Sequence, residues 1–176
     1  NLDIVTQAEV QNAFPSIRSD IEKAGRAWYA AELIDRFSQV RDPDPQIFEL
    51  LLETLHLIDK RARIDEILRR FEVRLIGKIG YQTELFQCVS CRDPLLPVDS
   101  FAFSIEEGGT VCSRCHHLSG VVRIVSLDAL KVLRLLQSGD DETLARLRWS
   151  SQLSAEVDGF LRWVEIYLLE GVPRSA

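Results

Sequence analysis

The chain has 176 residues, of which 46 % are hydrophobic and 27 % charged, the balance of an ordinary globular protein and not of a disordered, collagen-like or disulfide-stapled one. A chain of this length can bury a sizeable core. Twenty-one Lys and Arg against 27 Asp and Glu give a formal charge of -6, which does not advertise the broad basic face that binding nucleic acid by charge alone needs. There is no Met, and the opening Asn1-Leu2-Asp3-Ile4-Val5 reads as the middle of a protein, so the chain is expected to be a piece of something longer.

Residues 2–5 have the pattern of a short terminal strand and 6–15 of a connection ending at Pro15. A helix is expected to start at Ser16 or Ser19, where Ser19 and Glu22 have the spacing of a capping box. Ile17, Ile21, Ala24, Trp28, Ala31, Ile34 and Phe37 recur at three and four and predict its buried face, with Trp28 in the core. Gly25 interrupts that helix, and a close helix crossing would account for it. Asp42-Pro43-Asp44-Pro45 ends the first helix and begins the second, with Asp44 at the N-cap and Pro45 at N1.

The second helix spans 45–59, with Phe48, Leu51, Leu52, Leu55 and Ile58 inward and Leu50 and Leu57 widening the apolar face. A third runs from 62 to 79 on Ile64, Ile67, Leu68, Phe71, Leu75, Ile76 and Ile79, with Gly80 closing its last turn. Between 88 and 125 the pattern shortens. Residues 101–105 and 109–111 flank Glu106-Glu107-Gly108 as a hairpin, and 121–125 can add a strand. Ser126 caps a helix on Leu127, Leu130, Leu133 and Leu136 that Gly139 stops. Two more amphipathic segments follow at 141–149 and 154–170, the latter on Val157, Phe160, Leu161, Val164, Tyr167 and Leu168.

The fold class is therefore mainly α: a helical domain with a small inserted β-hairpin module. The insert carries Cys88, Cys91, Cys112 and Cys115 as two CxxC pairs separated by 20 residues. A hairpin can bring two such pairs together as four tetrahedral thiolates, the set that holds structural Zn²⁺ with no position left for water. Iron fits the same sulfur set, and a redox dithiol is a further alternative, although neither pair lies in a βαβ unit. With zinc bound, the folded charge would move to about -8. His116 and His117 follow Cys115, but four cysteines already fill the shell. Glu106 and Glu107 belong to a hairpin tip, and His56 to a helix surface. No HExxH, P-loop or GxGxxG is present, so an enzyme is not expected.

Residues 1–58 hold five basic and ten acidic groups, whereas 59–78 hold seven basic and four acidic. This basic island of Lys60, Arg61, Arg63, Arg69, Arg70, Arg74 and Lys78 is either a solvated helix face or a stripe for a nucleic-acid backbone, joined there by Arg18, Arg26, Arg36 and Arg41. Trp149 and Trp163 fit core positions less cleanly than Trp28, and one of them suits a partner groove. The last helix is apolar around much of its circumference, as a central or partner-holding helix would be. No apolar stretch approaches the length of a membrane span.

Taken together, these segments resemble a known family. Leu2-Asp3-Ile4-Val5-Thr6-Gln7-Ala8-Glu9, Phe14-Pro15, Arg18 and Asp20, residues 30–37, Pro45, residues 48–55, Arg70 to Leu75 and Gly80-Tyr81 follow the order of the bacterial DNA repair proteins of the RecO family. Cys88-Val89-Ser90-Cys91 and Cys112-Ser113-Arg114-Cys115 resemble that family's zinc motif. The resemblance covers most of 2–137.

It implies an OB-fold barrel before a helical domain, with 1–15 the barrel's end and linker, 16–87 and 126–176 the two parts of the helical domain, and 88–125 the zinc module. It further implies a cytoplasmic, non-enzymatic recombination mediator. Such a protein anneals strands, binds single- and double-stranded DNA mainly through the barrel, joins RecR, and helps load recombinase onto strands coated with single-stranded-DNA-binding protein. The acidic, hydrophobic-ended tail of that coating protein docks on the helical domain. By resemblance, Cys88, Cys91, Cys112 and Cys115 are zinc ligands, and Arg63, Arg69, Arg70 and Arg74 are candidates for DNA or tail contact. Residues 156–176 depart from the family's basic ending, with four acids against Arg162 and Arg174. The alternative is a zinc-stabilised helical interaction module with no nucleic-acid role.

Overall fold

The computed structural model describes residues 6–38, 44–96, 98–118, 120–139, 141–146 and 149–171. The expected strand at 2–5, the Asp42-Pro43 helix end and Arg41 lie outside them.

The first helix is two helices. Helix α1 (Pro15–Ser19) is a single short segment with Pro15 in its first turn. Its orphan amides are satisfied from far along the chain: Ser16 N and Ile17 N donate to Asp59 Oδ1 at 2.8 and 3.0 Å. Helix α2 (Ile21–Phe37) is capped by Asp20, whose carboxylate accepts from the amides of Glu22 and Lys23. The expected Ser19–Glu22 box is therefore replaced, because an extended Asp20 turns the chain between the two helices.

That turn also selects a different buried stripe. Ala27, Ala30 and Leu33 face inward, while Ile21 and Trp28 are 93 % and 76 % exposed. Trp28 is thus a surface residue, not core. Gly25 has no atom within 4 Å of a Cβ placed on it, so no close crossing explains it.

Helix α3 (Pro45–Lys60) starts as expected, with Asp44 accepting from Gln46 N and Ile47 N. Its buried line is Leu50, Thr54 and Ile58, at spacings of four, and Phe48 is turned outward at 65 % exposure. The Thr54 hydroxyl is accommodated there by donating to Leu50 O at 2.7 Å.

Helix α4 (Ile64–Lys78) is buried almost all round, at Ile64, Ile67, Leu68, Phe71, Glu72, Val73, Leu75 and Ile76. Gly80, at φ 91°, closes it: Tyr81 N donates to Ile76 O and Gly80 N to Gly77 O, so the last carbonyls are satisfied.

A three-stranded antiparallel sheet follows, in the order β2-β1-β3, formed by β1 (Ser100–Ser104), β2 (Gly109–Val111) and β3 (Val122–Ser126). The segment 84–89 runs alongside β2 at the sheet edge, with Thr110 N donating to Glu84 O and Val89 N to Thr110 O. Glycine is required at 109, where a Cβ would lie 2.3 Å from Val89 Cγ1 and 2.7 Å from Glu84 O. Ser126 caps α5 (Leu127–Ser138) as expected, and the short α6 (Asp141–Arg146) and long α7 (Ser151–Gly171) complete the fold. In α7 Val157, Phe160, Leu161 and Val164 are buried, but Tyr167 is 39 % exposed.

Two hydrophobic cores share α4. One joins Ile17, Ala30, Leu33, Leu50 and Ile58 to Leu68, Phe71 and Leu75. The other joins Val73 and Ile76 to Phe101, Phe103, Ile105, Val125, α5 and α7. The Phe103 ring meets Phe160 edge-on at 4.9 Å. The sheet therefore packs on the same core as α5 and α7. The fold is mainly α with a small sheet-bearing insert. No helix among the described residues is long and apolar enough to cross a membrane.

Candidate metal centre and helix groove

The cysteines arrive on two tight turns. Cys88 N donates to Asp93 O and Arg92 N to Cys88 O, with Arg92 at φ 62° reversing the chain after Cys91. In the second turn Cys115 N and His116 N both donate to Cys112 O at 3.0 Å. From α5, Arg134 fixes the approach to Cys88 by donating twice to Leu85 O, at 2.8 and 2.6 Å, while its guanidinium lies 5.1 Å from the Phe86 ring centroid. An ion pair of Arg114 with Asp93 ties the two turns together.

All four Sγ atoms lie within 4.8 Å of one another, and Cys91 and Cys112 Sγ are 3.8 Å apart. Sulfurs about 2.3 Å from one ion at tetrahedral angles are about 3.8 Å apart, so this set fits a closed four-thiolate metal site. Cys88 is buried, whereas Cys91 is exposed.

Burial opposes charge at Cys88, but the amides of Cys91, Cys112 and Ser90 outweigh it and bring that thiol down to about 6. At Cys112 too, burial opposes and backbone amides prevail, and its thiol is lowered. Cys115 is pushed up to about 12, first by its hydrogen bond with Cys112. Cys88 and Cys112 are thus lowered while Cys91 and Cys115 are raised, so the four thiols do not share one environment. His116 stays outside the cluster, with Nδ1 2.8 Å from Ser113 O.

The four singled-out arginines, Arg63 at the N-cap of α4 and three within it, divide. Arg69 points inward, 11 % exposed, and pairs with Glu72 at 2.8 Å and with Asp158 of α7. Arg74 pairs with Glu53 of α3 at 2.8 Å. Arg63 pairs with Glu66 at 2.7 Å, and Arg70 donates to Gly139 O at 3.2 Å.

Arg63 and Arg70 also border one groove of about 260 Å³, with Leu57, Ala62, Ile67 and Leu144 on its walls and Arg61 beside them. Glu66 lies in the same groove and is held by Arg63 and by Trp149 Nε1 at 3.2 Å. Burial raises the Glu66 carboxyl, but its own amide, Arg63 and Trp149 bring it below the ordinary range. Sequence reasoning missed Leu57 and Leu144 as groove walls, since the approach of α6 to the end of α3 is not written in either helix. Trp163 packs on Phe103 and Phe160, with the Arg123 guanidinium 5.8 Å from its ring centroid.

Residues 18–175 match the family model described as "Recombination protein O C terminal". The chain is 37 % identical over 175 residues to a protein named DNA repair protein RecO from Roseiflexus sp. (strain RS-1), covering 99 % of this chain and 62 % of that protein. It is 32 % identical over 174 residues to the protein of that name from Dehalococcoides mccartyi (strain ATCC BAA-2266 / KCTC 15142 / 195), covering 99 % and 68 %. A third RecO protein, from Halalkalibacterium halodurans, is 31 % identical over 154 residues, 88 % of this chain and 59 % of its own length. The chain thus spans about three-fifths to two-thirds of the length of these relatives. It belongs to the family of the recombination protein O C-terminal region.

Proposed function

We propose that this chain is the helical, metal-bearing part of a cytoplasmic recombination mediator in DNA repair, acting by binding and scaffolding and not by catalysis. Family membership supports the repair role. In this reading residues 1–15 end an OB-fold barrel that holds most of the single- and double-stranded DNA, and RecR is a partner in loading recombinase and annealing strands. Residues 88–125 form the zinc module. Cys88, Cys91, Cys112 and Cys115 hold one structural Zn²⁺, and the four-sulfur donor set supports that choice of metal.

The groove between α3, α4 and α6 is the observation that carries the binding role. Its apolar walls, Leu57, Ala62, Ile67 and Leu144, lie beside Arg61, Arg63 and Arg70. An acidic peptide that ends in a large apolar side chain matches both features: the side chain fills the groove and the carboxylates meet the guanidinium groups. The C-terminal tail of single-stranded-DNA-binding protein has that chemistry. Arg69 and Arg74, already paired with carboxylates, act in this reading by holding α4 against α7 and α3.

The test is titration of a fluorescent tail peptide into the chain, with Leu57→Glu and Arg61→Glu as variants. Each variant is expected to weaken binding by at least about tenfold, or about 1.4 kcal/mol. Unchanged affinity in both would sink the assignment. DNA titrated at two salt concentrations should bind this chain weakly, because charge-driven contact needs more cations than one helix supplies. Tight, salt-insensitive DNA binding would contradict the division of labour.

A further inference from the structure

The second cleft, about 850 Å³ between α2, α4 and α7, has an unusual floor. Glu72 of α4 is fully buried and Glu165 of α7 is 7 % exposed. Both carboxyls meet one hydroxyl: Tyr29 Oη of α2 lies 2.8 Å from Glu72 Oε1 and 3.3 Å from Glu165 Oε2. A phenol has one proton to donate, so it cannot serve two carboxylate acceptors. The second contact is a hydrogen bond only if a carboxylic O–H donates to the phenol oxygen.

The remaining partners say which acid holds that proton. Arg69 Nη2 lies 2.8 Å from Glu72 Oε1, and its Nη1 donates to Asp158, so this guanidinium is shared between those two carboxylates. Among the described residues Glu165 forms no ion pair, unlike Glu72, and each acid keeps one oxygen without a hydrogen-bond partner, Glu165 Oε1 and Glu72 Oε2. An ionised, unpaired carboxylate at that depth is costly, whereas a neutral acid is tolerated.

The charged groups around the pair are Arg69 from α4 and Asp158 and Arg162 from α7, with Tyr29 the titratable group from α2. Glu22, Arg26, Arg36 and Glu170 line the cleft farther out.

We propose that Glu72 and Glu165 share one proton across the Tyr29 hydroxyl, and that this neutral latch fastens α7 to α2 and α4 and loosens when the proton leaves. Burial drives both carboxyls upward, and Glu72 is pushed from 4.5 to about 8 with Arg69 opposing. An unfolded carboxyl ionises near 4.5 and both folded ones are raised above it, so the latch's contribution is complete below 4.5 and is lost progressively as pH rises through the folded values. The consequence is a joint between the two cores that weakens under alkaline conditions and lets the cleft widen.

Thermal unfolding of the zinc-saturated chain from pH 5 to 8.5, wild type against Glu165→Gln, tests this. Glutamine keeps the neutral charge and cannot titrate. The two proteins are expected to melt alike at pH 5, with wild type falling below the variant by roughly 5 °C or more at pH 8.5. Parallel curves, whatever their offset, would overturn the latch. Should Glu165→Gln fail to fold, the infrared spectrum of wild type decides the matter. A carboxylic-acid carbonyl band persisting at pH 7 supports the shared proton, and its absence refutes it.

Discussion

The two cores that meet on α4 are held by different means. The α1–α4 core is filled by apolar side chains at helical spacing, with Ala30, Leu50, Ile58, Leu68 and Leu75 at 4 % exposure or less. Across α4, the sheet buries Phe101, Phe103 and Ile105, but the turns bearing the cysteines bury almost nothing. Phe86, Leu96, Val98 and Val121 near them are exposed, and Cys88 is the one cysteine fully inside. Where apolar burial runs out, the four clustered cysteines could hold a metal ion, and under the proposed zinc site that ligation would supply the order, as in small metal-stapled domains. Stability that depends on metal should therefore be confined to one side of α4.

The largest effect follows from that contrast. Chelation, or Cys88→Ser, should release the metal and lower the Tm on the order of 10 °C. Amide exchange should rise in 86–118 while α1–α3 keep their protection. Equal loss of protection on both sides would show that the cores are not separable in this way.

Next, Phe103→Ala removes a buried ring that meets both Phe160 and Trp163, and should cost about 3–5 kcal/mol by denaturant unfolding. Phe71→Ala should cost a similar amount in the other core, but independently of metal. A smaller effect is expected for Asp20→Ala, about 1 kcal/mol, from loss of the α2 cap. Smallest is Trp28→Ala, within about 0.5 kcal/mol, since that ring is 76 % exposed; a larger loss would restore it to the core.

Much of this was legible in the residues. Asp44-Pro45, Gly80 and Ser126 mark helix ends through local chemistry, and each does so here. The CxxC pairs specify the thiolate cluster because two tight turns need only a hairpin to meet. What failed depended on which face a helix turns to its neighbours. Ile21 and Trp28 satisfy the helical period as well as Ala27, Ala30 and Leu33 do, and only the neighbours that α2 meets in the fold decide which stripe is buried.

The latch left a trace that went unread. Glu72 sits four residues from both Leu68 and Ile76 on a helix buried all round, a charged group at a core position. Its partners Tyr29 and Glu165 come from 43 and 93 residues away, and no local pattern links them.

Under the proposed function the metal side is scaffold and a partner tail docks in the groove between α3, α4 and α6. Chemical-shift mapping of an isotopically labelled, zinc-loaded chain with the acidic, apolar-ended tail peptide tests it most directly. Saturable shifts are expected at Leu57, Arg61, Ile67 and Leu144, with the amides around Cys88 and Cys112 unmoved. Shifts centred on the cysteine turns, or none in the groove at saturating peptide, would contradict it.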